Sequence, residues 1–315
     1  MGIVRGICIS ERRGTAKHPV PSARLVEQFG LEGDAHGGNW HRQVSLLGQE
    51  SIDAFNAQGA NVQPGDFGEN IIVEGFDLRH LPVGTCFRIG QALLELTQIG
   101  KECHSHCEIY RRVGHCIMPA NGVFTQVLQG GEIHVGDQVT LEENPDKRPT
   151  LAVITLSDKG AAGQREDRSG PLVCELAQAA GYRVVETLLL PDDQPRLEKE
   201  LRRMADGRQA DLVLTTGGTG FSQRDRTPEA TLAVAERNAP GIAEAIRWYS
   251  LQITPRAMLS RGASVIRGKT LIVNLPGSPK AVRESLEFLL PNLGHGIEIL
   301  KGTASECGGP AERRP

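Results

Sequence analysis

The spacing of apolar segments changes at one place in the chain, and this change divides the sequence into two halves. The stretch LEENPDKRPT, residues 141–150, is charged, contains two prolines and has no apolar periodicity, which indicates a linker. A chain of 315 residues is long enough for two domains of about 150 residues each. We therefore predict a first domain over residues 1–141, a linker over 142–149, a second domain over 150–303 and a flexible tail over 304–315.

Short runs of alternating apolar and polar residues, broken by glycine, proline and aspartate, characterise the first half. Examples are Gln43–Leu47, Cys86–Ile89 and Ala92–Thr97. Such runs indicate β-strands, and their close spacing is typical of an antiparallel β-barrel or sandwich. We also predict a helix over residues 48–58 and a second helix after Asn121, where NGVFTQVLQGG ends in two glycines.

Apolar strands alternate with helical patterns in the second half. The strands are predicted at Leu151–Leu156, Arg183–Leu188, Asp211–Thr215 and Thr270–Leu275, and each precedes an amphipathic segment. This order is typical of βαβ units, which form a mostly parallel sheet with helices on both faces. The expected fold class is therefore α/β multidomain, a β-barrel-rich domain followed by a layered α/β domain.

Ligands of open parallel sheets bind at the carboxyl ends of the strands, and a glycine-rich segment lies at one such end. The residues Gly217, Gly218, Thr219 and Gly220 follow the strand Asp211–Thr215. Their backbone N–H groups can face a phosphate. Thr227 is predicted to cap the next helix, and Arg224 and Asp225 lie between, so that Mg²⁺ could bridge Asp225 and a phosphate. The alternative is a tight strand-to-helix connection without a ligand.

Three further loops follow strands of the same predicted sheet. Ser169 is predicted to cap a helix, with Arg165, Asp167 and Arg168 near it. Asp192 follows the second strand, and the last strand leads into Asn274, Pro276, Gly277 and Ser278, where Ser278 is a predicted N-cap. Several capped helix ends at one sheet edge favour a polyphosphate site. Each loop alone is equally compatible with a polar surface turn.

Histidine and cysteine are concentrated in the first half, which holds eight of the nine histidines and five of the seven cysteines. Three interpretations of the segment 97–119 remain open. Cys103, Cys107, His115 and Cys116 could bind zinc, although their spacing is irregular. Alternatively, the thiols are buried and inert. In the third interpretation Cys103 is a reactive thiol, activated by Lys101.

Composition excludes several classes of protein. A net charge of −3 and an aromatic content of 4% argue against nucleic-acid binding. No apolar run approaches the roughly 18 residues of a membrane-spanning helix, and arginines near the N-terminus argue against a signal peptide. A cytoplasmic location with reduced thiols is therefore expected.

The second half resembles a known family through four motifs: SDKGAAGQREDRSG, TTGGTGFSQRDRTPEAT, MLSRG and VNLPGSPKAV. They look like the molybdopterin-binding domain of molybdopterin adenylyltransferases. The resemblance implies a three-layer α/β fold, usually trimeric, that transfers AMP from Mg-ATP to molybdopterin and releases pyrophosphate. It also implies catalytic roles for Asp225, which would serve Mg²⁺, and Asp192, and a pterin contact near Ser260.

The first half resembles the MOSC domain, the module named after the C-terminus of molybdenum cofactor sulfurases. The resemblance rests on GLEGDAHGGNWHRQVSLL, PGDFGENIIVEGFDL, LPVGTCFRIGQALLELTQIGKEC and GGEIHVGD. It implies a β-barrel-rich fold that binds molybdenum cofactor, molybdenum ion binding, and, in the family at large, pyridoxal phosphate binding. Cys103 would carry sulfur or ligate molybdenum, and the pocket would include His36, His41, Arg42, Glu69, Asn70 and Lys101. Many family members have Pro-Arg where this chain has Ile99-Gly100-Lys101.

Both resemblances converge on one ligand, the pterin of molybdenum cofactor. We therefore expect a fusion protein of cofactor biosynthesis, in which the second half adenylylates molybdopterin and the first half binds, sulfurates or transfers the cofactor. A non-catalytic cofactor carrier and a zinc-stabilised binding module remain as alternatives. Expected partners are the pterin and the nucleotide, together with molybdopterin synthase, a molybdenum insertion protein or a recipient molybdoenzyme.

Overall fold

A computed structural model describes residues 1–102, 110 and 113–303 of the chain. The chain divides after Lys147 into two compact units. The predicted tail over 304–315 lies outside the described residues. Within the described ranges, no helix combines the length and apolar character needed to cross a membrane.

The first unit consists mainly of β-strands. Its strands are β1 Gly2–Ile9, β2 His18–Val20, β3 Ser22–Val26, β4 Gly30–Leu31, β5 Val44–Gly48, β6 Ile71–Glu74, β7 Cys86–Ile89, β8 Ala92–Ile99, β9 Val123–Gln129, β10 Gly131–His134 and β11 Gln138–Glu142. Its helices are α1 Gln49–Asn56, α2 Met118–Asn121 and a 3-10 turn at Leu78–His80.

Seven of these strands close into a barrel. Their order is β11-β7-β8-β9-β5-β6-β1, and β1 pairs back onto β11 through Gly2 and Ile3. Most pairings are antiparallel, whereas β5 and β6 are parallel. Apolar side chains such as Val4, Leu46 and Leu94 fill the interior. The predicted barrel-rich first domain is therefore confirmed.

The helix predicted after Asn121 is wrong, because Val123–Gln129 forms strand β9. This strand lies between β8 and β5, where Val123, Phe124 and Val127 are buried. β-Branched and aromatic residues suit such a position, and pairing on both sides outweighs the local turn signals at the ends. The helix predicted over residues 48–58 is present as α1.

The second unit alternates strands and helices. Its strands are β12 Thr150–Leu156, β13 Arg183–Leu190, β14 Leu212–Thr216, β15 Arg237–Asn238, β16 Ser264–Arg267 and β17 Thr270–Leu275. Its helices are α3 Asp158–Ala161, α4 Ser169–Ala179, α5 Gln194–Arg202, α6 Thr227–Ala233, α7 Pro240–Leu251 and α8 Pro279–Lys301. A π-helical turn at Arg203–Gly207 follows α5, and a 3-10 helix at Pro255–Leu259 follows α7.

The six strands of this unit form a mixed sheet in the order β13-β12-β14-β17-β16-β15. The first four strands are parallel, whereas β16 and β15 are antiparallel to their neighbours. The sheet is therefore mixed, and the predicted parallel arrangement holds only for the first four strands, from β13 to β17 in that order. The reason is a two-residue hairpin at Gly268 and Lys269, since a connection this short can join only antiparallel strands.

Helices cover both faces of the mixed sheet. Alternate residues of β12, such as Val153 and Ile154, belong to two different cores, as the two-residue period of a strand requires. Helices α4, α7 and α8 contribute to one core, and α5 and α6 contribute to the other. Helix α8 continues through Pro291 to Lys301. Buried Leu293 and Ile297 anchor its last turns.

Candidate functional site

A cavity of about 950 Å³ lies at the carboxyl ends of all four parallel strands of the second unit. The loops that follow β12, β13, β14 and β17 each contribute residues to its wall. Strand order places these loops side by side, since parallel neighbours end at the same edge of a sheet. Four separate segments of the sequence therefore meet around one space.

The glycine-rich loop after β14 approaches other backbone too closely for side chains. At Gly217, where φ is +100°, a Cβ would lie 2.4 Å from the carbonyl oxygen of Leu156. At Gly218 it would lie 2.4 Å from Oγ1 of Thr227 and 3.1 Å from Oδ1 of Asp192. Glycine is therefore required at both positions, and the two residues line the cavity with backbone atoms alone.

Thr227 holds the base of this loop instead of capping α6. Its Oγ1 donates to the Gly217 carbonyl oxygen (2.9 Å) and its N–H donates to the Gly218 carbonyl oxygen (3.1 Å). Helix α6 begins at Thr227 itself, with no side-chain cap, so the predicted N-cap is wrong. The threonine fixes the loop conformation.

Asp158 and Asp192 hold each other in place through their backbones. The Asp158 N–H donates to Oδ2 of Asp192 (3.1 Å), and the Asp192 N–H donates to Oδ1 of Asp158 (3.0 Å). Arg224 adds a bidentate pair, donating from Nε (3.0 Å) and Nη2 (2.8 Å) to Asp158. The Arg224 guanidinium lowers the pKa of Asp158, whereas burial and the charges of Asp158 and Asp225 raise the pKa of Asp192.

Asp225 folds back over its own loop. Its Oδ2 accepts from the Ser222 N–H at 3.0 Å. A Cβ on Gly220 would lie 2.9 Å from the same oxygen, so glycine there gives the carboxylate its room. The two predicted catalytic carboxylates, Asp192 and Asp225, thus both line the cavity, and each lies beside a glycine of the same loop.

Two helix starts complete the wall of the cavity. The predicted cap at Ser169 is wrong, because Oδ1 of Asp167 accepts the N–H groups of Ser169 and Gly170, both at 3.0 Å. Ser169 Oγ instead donates to the Gly277 carbonyl oxygen (2.9 Å) and joins two loops. Ser278 caps α8 as predicted, accepting from the Ala281 N–H at 3.3 Å.

The structure brings most of the predicted residues of the second half to this cavity. Those that line it are Asp192, Asp225, Arg224, Gly217, Gly218, Ser169, Gly277 and Ser278. Those outside its lining are Thr219, Gly220, Ser260, Asn274 and Pro276. Asn274 is buried, and its Nδ2 donates to Oγ1 of Thr215 (2.9 Å) and of Thr231 (2.8 Å), so it stabilises the sheet end.

The basic and acidic side chains of the lining fit a nucleoside triphosphate with its metal ion. Lys159, Arg165, Arg168 and Arg224 supply positive charge. In the part of the chain that the structure describes, no three histidine, cysteine or acidic side chains are grouped to hold a metal ion. Mg²⁺ usually takes one or two carboxylates and completes its shell with phosphate oxygens and water. Asp192 and Asp225 fit that kind of site.

The first unit contains a smaller cavity of about 470 Å³. Four of the residues predicted for its pocket line it: His36, Arg42, Asn70 and Lys101. The Arg42 guanidinium lies 4.8 Å from the centre of the Trp40 ring and 5.7 Å from that of Phe124. His41 lies outside the lining, where its Nε2 is 2.9 Å from Oε1 of Gln98.

A buried ion pair lies in the wall of this cavity. Lys17 Nζ is 2.6 Å from Oδ2 of Asp34, and the two side chains are 2% and 1% exposed. Asp34 also accepts the N–H of Ser10 (3.0 Å), the N–H of His36 (2.9 Å) and Nδ2 of Asn70 (3.2 Å). Burial opposes its charge, but the hydrogen bonds from His36 and Lys17 hold the pKa of Asp34 far below its usual value.

Glu69 is fully buried beside this network and does not line the cavity. Its Oε1 accepts the Gly65 N–H at 2.7 Å, whereas Oε2 has no hydrogen-bond partner among the described residues. Burial raises the pKa of Glu69 to about 7. Cys103, the predicted sulfur or molybdenum ligand, lies outside the described residues, as do His104, His106 and Cys107.

Sequence reasoning missed two residues of these cavities. Asp158 is the second residue after the end of β12, and this position at the end of a parallel strand is the signal that could have identified it. Lys17 lies between short β-segments in a stretch without a motif, and only the fold brings it to Asp34. No sequence signal pointed to it.

Family comparisons agree with the division into two units. Residues 152–295 match the family model of a probable molybdopterin binding domain, and residues 32–140 match that of the MOSC domain.

Similar proteins match the second unit. Molybdopterin adenylyltransferase of Haemophilus influenzae is 48% identical over 157 residues, which cover 49% of this chain and 79% of that protein. The enzyme of the same name from Escherichia coli K12 is 44% identical over 153 residues, covering 47% of this chain and 78% of that protein. A crystal structure of the molybdopterin biosynthesis enzyme MoaB from Thermus thermophilus has 46% identity and a TM-score of 0.47, covering 49% of this chain and 96% of that chain. The chain thus belongs to the molybdopterin adenylyltransferase family through its second unit, and it carries a MOSC domain in its first.

Proposed function

We propose that the second unit adenylylates molybdopterin in a reaction that uses Mg-ATP. The observation that carries this proposal is the cavity whose wall brings together Asp192, Asp225 and the glycine loop. Lysine and arginine side chains in its wall can bind the phosphates of two polyanionic substrates, and a relative that is 48% identical is named for this activity.

The reaction joins two phosphates. An oxygen of the terminal phosphate of molybdopterin bonds to the α-phosphorus of ATP, and the bond from that phosphorus to the oxygen bridging to the β-phosphate breaks. Adenylylated molybdopterin and pyrophosphate are the products. Because both substrates carry negative charge, catalysis requires positioning and charge neutralisation more than proton transfer.

Different residues of the cavity would position the substrates and neutralise their charge. The backbone of Gly217 and Gly218 offers N–H groups to phosphate oxygens, and Arg224 offers a guanidinium. Asp192 and Asp225 would hold the Mg²⁺ that ATP brings, which neutralises phosphate charge and helps pyrophosphate to leave. Arg224 is held by Asp158 through an exposed ion pair, which solvent weakens, so a phosphate can compete for the guanidinium.

A non-catalytic cofactor carrier is the second candidate for this unit. Incubating the protein with ATP, Mg²⁺ and molybdopterin separates the two. The enzyme releases one pyrophosphate for each molybdopterin adenylylated. A carrier binds the pterin and releases none.

We infer that the first unit binds molybdenum cofactor and carries or transfers its sulfur. Supporting this, Lys17, Arg42 and Lys101 line one cavity, and Lys101 precedes Cys103 by two residues in the sequence. Limiting alkylation followed by peptide mapping tests the thiol. We expect Cys103 to react first, because Cys8 is buried and its pKa is raised to about 12. Preferential labelling of Cys116, or uniformly slow labelling, would contradict a sulfur-handling Cys103.

We also propose that the second unit assembles as a homotrimer. Helix α7 packs against the following 3-10 helix, and the two expose Trp248 (61%) and Met258 (66%) together with Leu251 and Leu259. Large exposed apolar side chains in one region are typical of an interface. Light scattering should give a trimer for the wild type and a smaller species for Trp248→Glu. A monomeric wild-type protein would contradict the assembly.

A further inference from the structure

Arg261 joins four points of the glycine-rich loop and helix α6. Its Nε donates to the Gly220 carbonyl oxygen (2.7 Å) and its Nη2 to that of Asp225 (2.5 Å). Its Nη1 donates to Oε1 of Glu229, and its backbone N–H donates to the carbonyl oxygen of Thr219 (3.0 Å). Arg261 does not line the cavity, so these contacts act on the loop and not on a ligand.

The loop that Arg261 contacts has little other support at its far end. Residues 221–224 are exposed, and the contacts of Thr227 hold only the base at Gly217 and Gly218. Ser222 and Asp225 bond to each other within the loop. Beyond the base, the exposed Arg224–Asp158 pair is the other described tie to the rest of the unit. The position of Asp225 therefore depends strongly on Arg261.

We propose that Arg261 is a positioning residue for adenylyl transfer, whose guanidinium latches the segment Thr219–Asp225 so that the Asp225 carboxylate stays at the cavity. This inference rests on the proposed function of the second unit. The latch comes from outside the loop, because Arg261 follows the 3-10 helix Pro255–Leu259. The sequence had pointed to its neighbour Ser260, which lies outside the cavity lining.

The geometry requires an arginine. A guanidinium is planar and carries five N–H donors in a fixed fork, so it can reach three acceptors in different directions. The carboxylate of Glu229 sets the orientation of that fork. Burial opposes the charge of Glu229, but the hydrogen bond from Arg261 outweighs it, and the pKa of Glu229 lies below its usual value. A lysine at 261 would keep the charge and lose part of the fork.

Removing the latch should slow the chemical step and leave nucleotide binding nearly intact. Displacing a reacting group by about 1 Å can cost about 100-fold in rate. For Arg261→Ala we expect kcat for pyrophosphate release to fall by about 10-fold to 100-fold, with KM for ATP changed less than about 3-fold. Arg261→Lys should fall between this variant and the wild type. The control is Arg256→Ala, an exposed arginine of the adjacent 3-10 helix, which should behave as wild type.

Hydrogen exchange of the intact protein, read by mass spectrometry, tests the latch without relying on activity. We expect faster exchange in peptides covering residues 219–226 for Arg261→Ala and no change for Arg256→Ala. Rapid exchange throughout the second unit would show that Arg261→Ala does not fold. In that case, loop exchange and kcat of Arg261→Lys are measured instead. Unchanged exchange in the loop, unchanged kcat, or a rise in KM alone would overturn the proposal. A wild-type protein that releases no pyrophosphate would refute the proposed function, and loop exchange alone would then decide whether the latch exists.

Discussion

Adjacent residues of the same type can have different tasks, and the pair Asp192 and Asp193 shows this clearly. Asp192 faces the glycine loop and accepts the Asp158 N–H, whereas Oδ1 of Asp193 caps α5 by accepting the Arg196 N–H at 2.8 Å. The sequence indicated a capped turn and a site as alternatives. The structure shows that one residue serves each, because successive side chains leave the turn in different directions.

Alanine substitutions of this pair should therefore have separate effects. Asp192→Ala should reduce pyrophosphate release by about 100-fold, the usual effect of removing a group that stabilises charge in the transition state. Asp193→Ala is the matched control, and we expect it to lower the free energy of unfolding by about 0.5–2 kcal/mol while the rate is retained. Steady-state kinetics and urea unfolding measure the two effects. Equal loss of activity in both variants would contradict the assignment.

Glu69 makes the stability of the first unit dependent on pH. Burial raises its pKa from 4.5 to about 7 in the folded protein. Its contribution to stability is therefore complete below pH 4.5 and is lost as the pH rises through 7, by about 3 kcal/mol in total. Glu69→Gln cannot ionise, so its stability should exceed that of the wild type increasingly from about pH 4.5 to about pH 7 and by a nearly constant amount at higher pH.

Urea unfolding of the first unit across that pH range measures the difference. Glu27→Gln, a change at an exposed glutamate, is the control and should follow the wild type. Parallel pH profiles for Glu69→Gln and the wild type would show that Glu69 ionises normally in the fold.

Among the secondary-structure elements, the positions of strands and loops were predicted from the sequence more accurately than the pairing between strands. Strand β17 occupies Thr270–Leu275 as predicted, and the four loops that form the cavity were all identified. Helix α7 and the antiparallel strand β16 were not predicted, and β9 was mistaken for a helix. Apolar periodicity reports which faces are buried, whereas strand pairing depends on residues distant in sequence. The same limit explains why Arg261 and Lys17 escaped prediction.

The glycine loop offers a test of an element whose backbone conformation determines its role. Gly217→Ala would place a Cβ 2.4 Å from the Leu156 carbonyl oxygen at a φ of +100°. We expect a loss of about 1–3 kcal/mol in unfolding free energy together with weaker ATP binding. Gly241→Ala, in open space on helix α7, should be neutral or stabilising by up to about 1 kcal/mol. Calorimetry of unfolding and of ATP binding distinguishes the two. Equal behaviour of both variants would refute a constrained loop.

At the scale of the whole molecule, we propose that the two units fold independently. Each has its own core, and each is long enough to bury one. The segment after β11 nevertheless belongs to the first unit, since Asn144 Nδ2 donates to Oε1 of the buried Glu95 at 2.7 Å. Because of this contact, a stable fragment of the first unit should extend beyond residue 144.

Truncation should show where the first unit ends. We expect fragments 1–147 and 148–315 each to unfold cooperatively, and 148–315 to retain adenylyl transfer. Fragment 1–141 should be less stable than 1–147 by about 1–3 kcal/mol, because a buried carboxylate loses a hydrogen bond. Urea unfolding compares them. A molten fragment 148–315 would contradict independent folding, and a folded but inactive one would mean that the first unit contributes to the reaction.

The most direct test of adenylyl transfer compares the wild-type protein with Asp225→Ala at saturating ATP, Mg²⁺ and molybdopterin. Pyrophosphate release and the mass of the pterin product are measured together. We expect equimolar pyrophosphate and adenylylated molybdopterin from the wild type, and a rate lower by about 100-fold or more from a variant that remains folded and binds the pterin. Equal rates for the two proteins would remove Asp225 from the mechanism. Pterin binding by the wild type without pyrophosphate release would identify a carrier and contradict adenylyl transfer by the second unit.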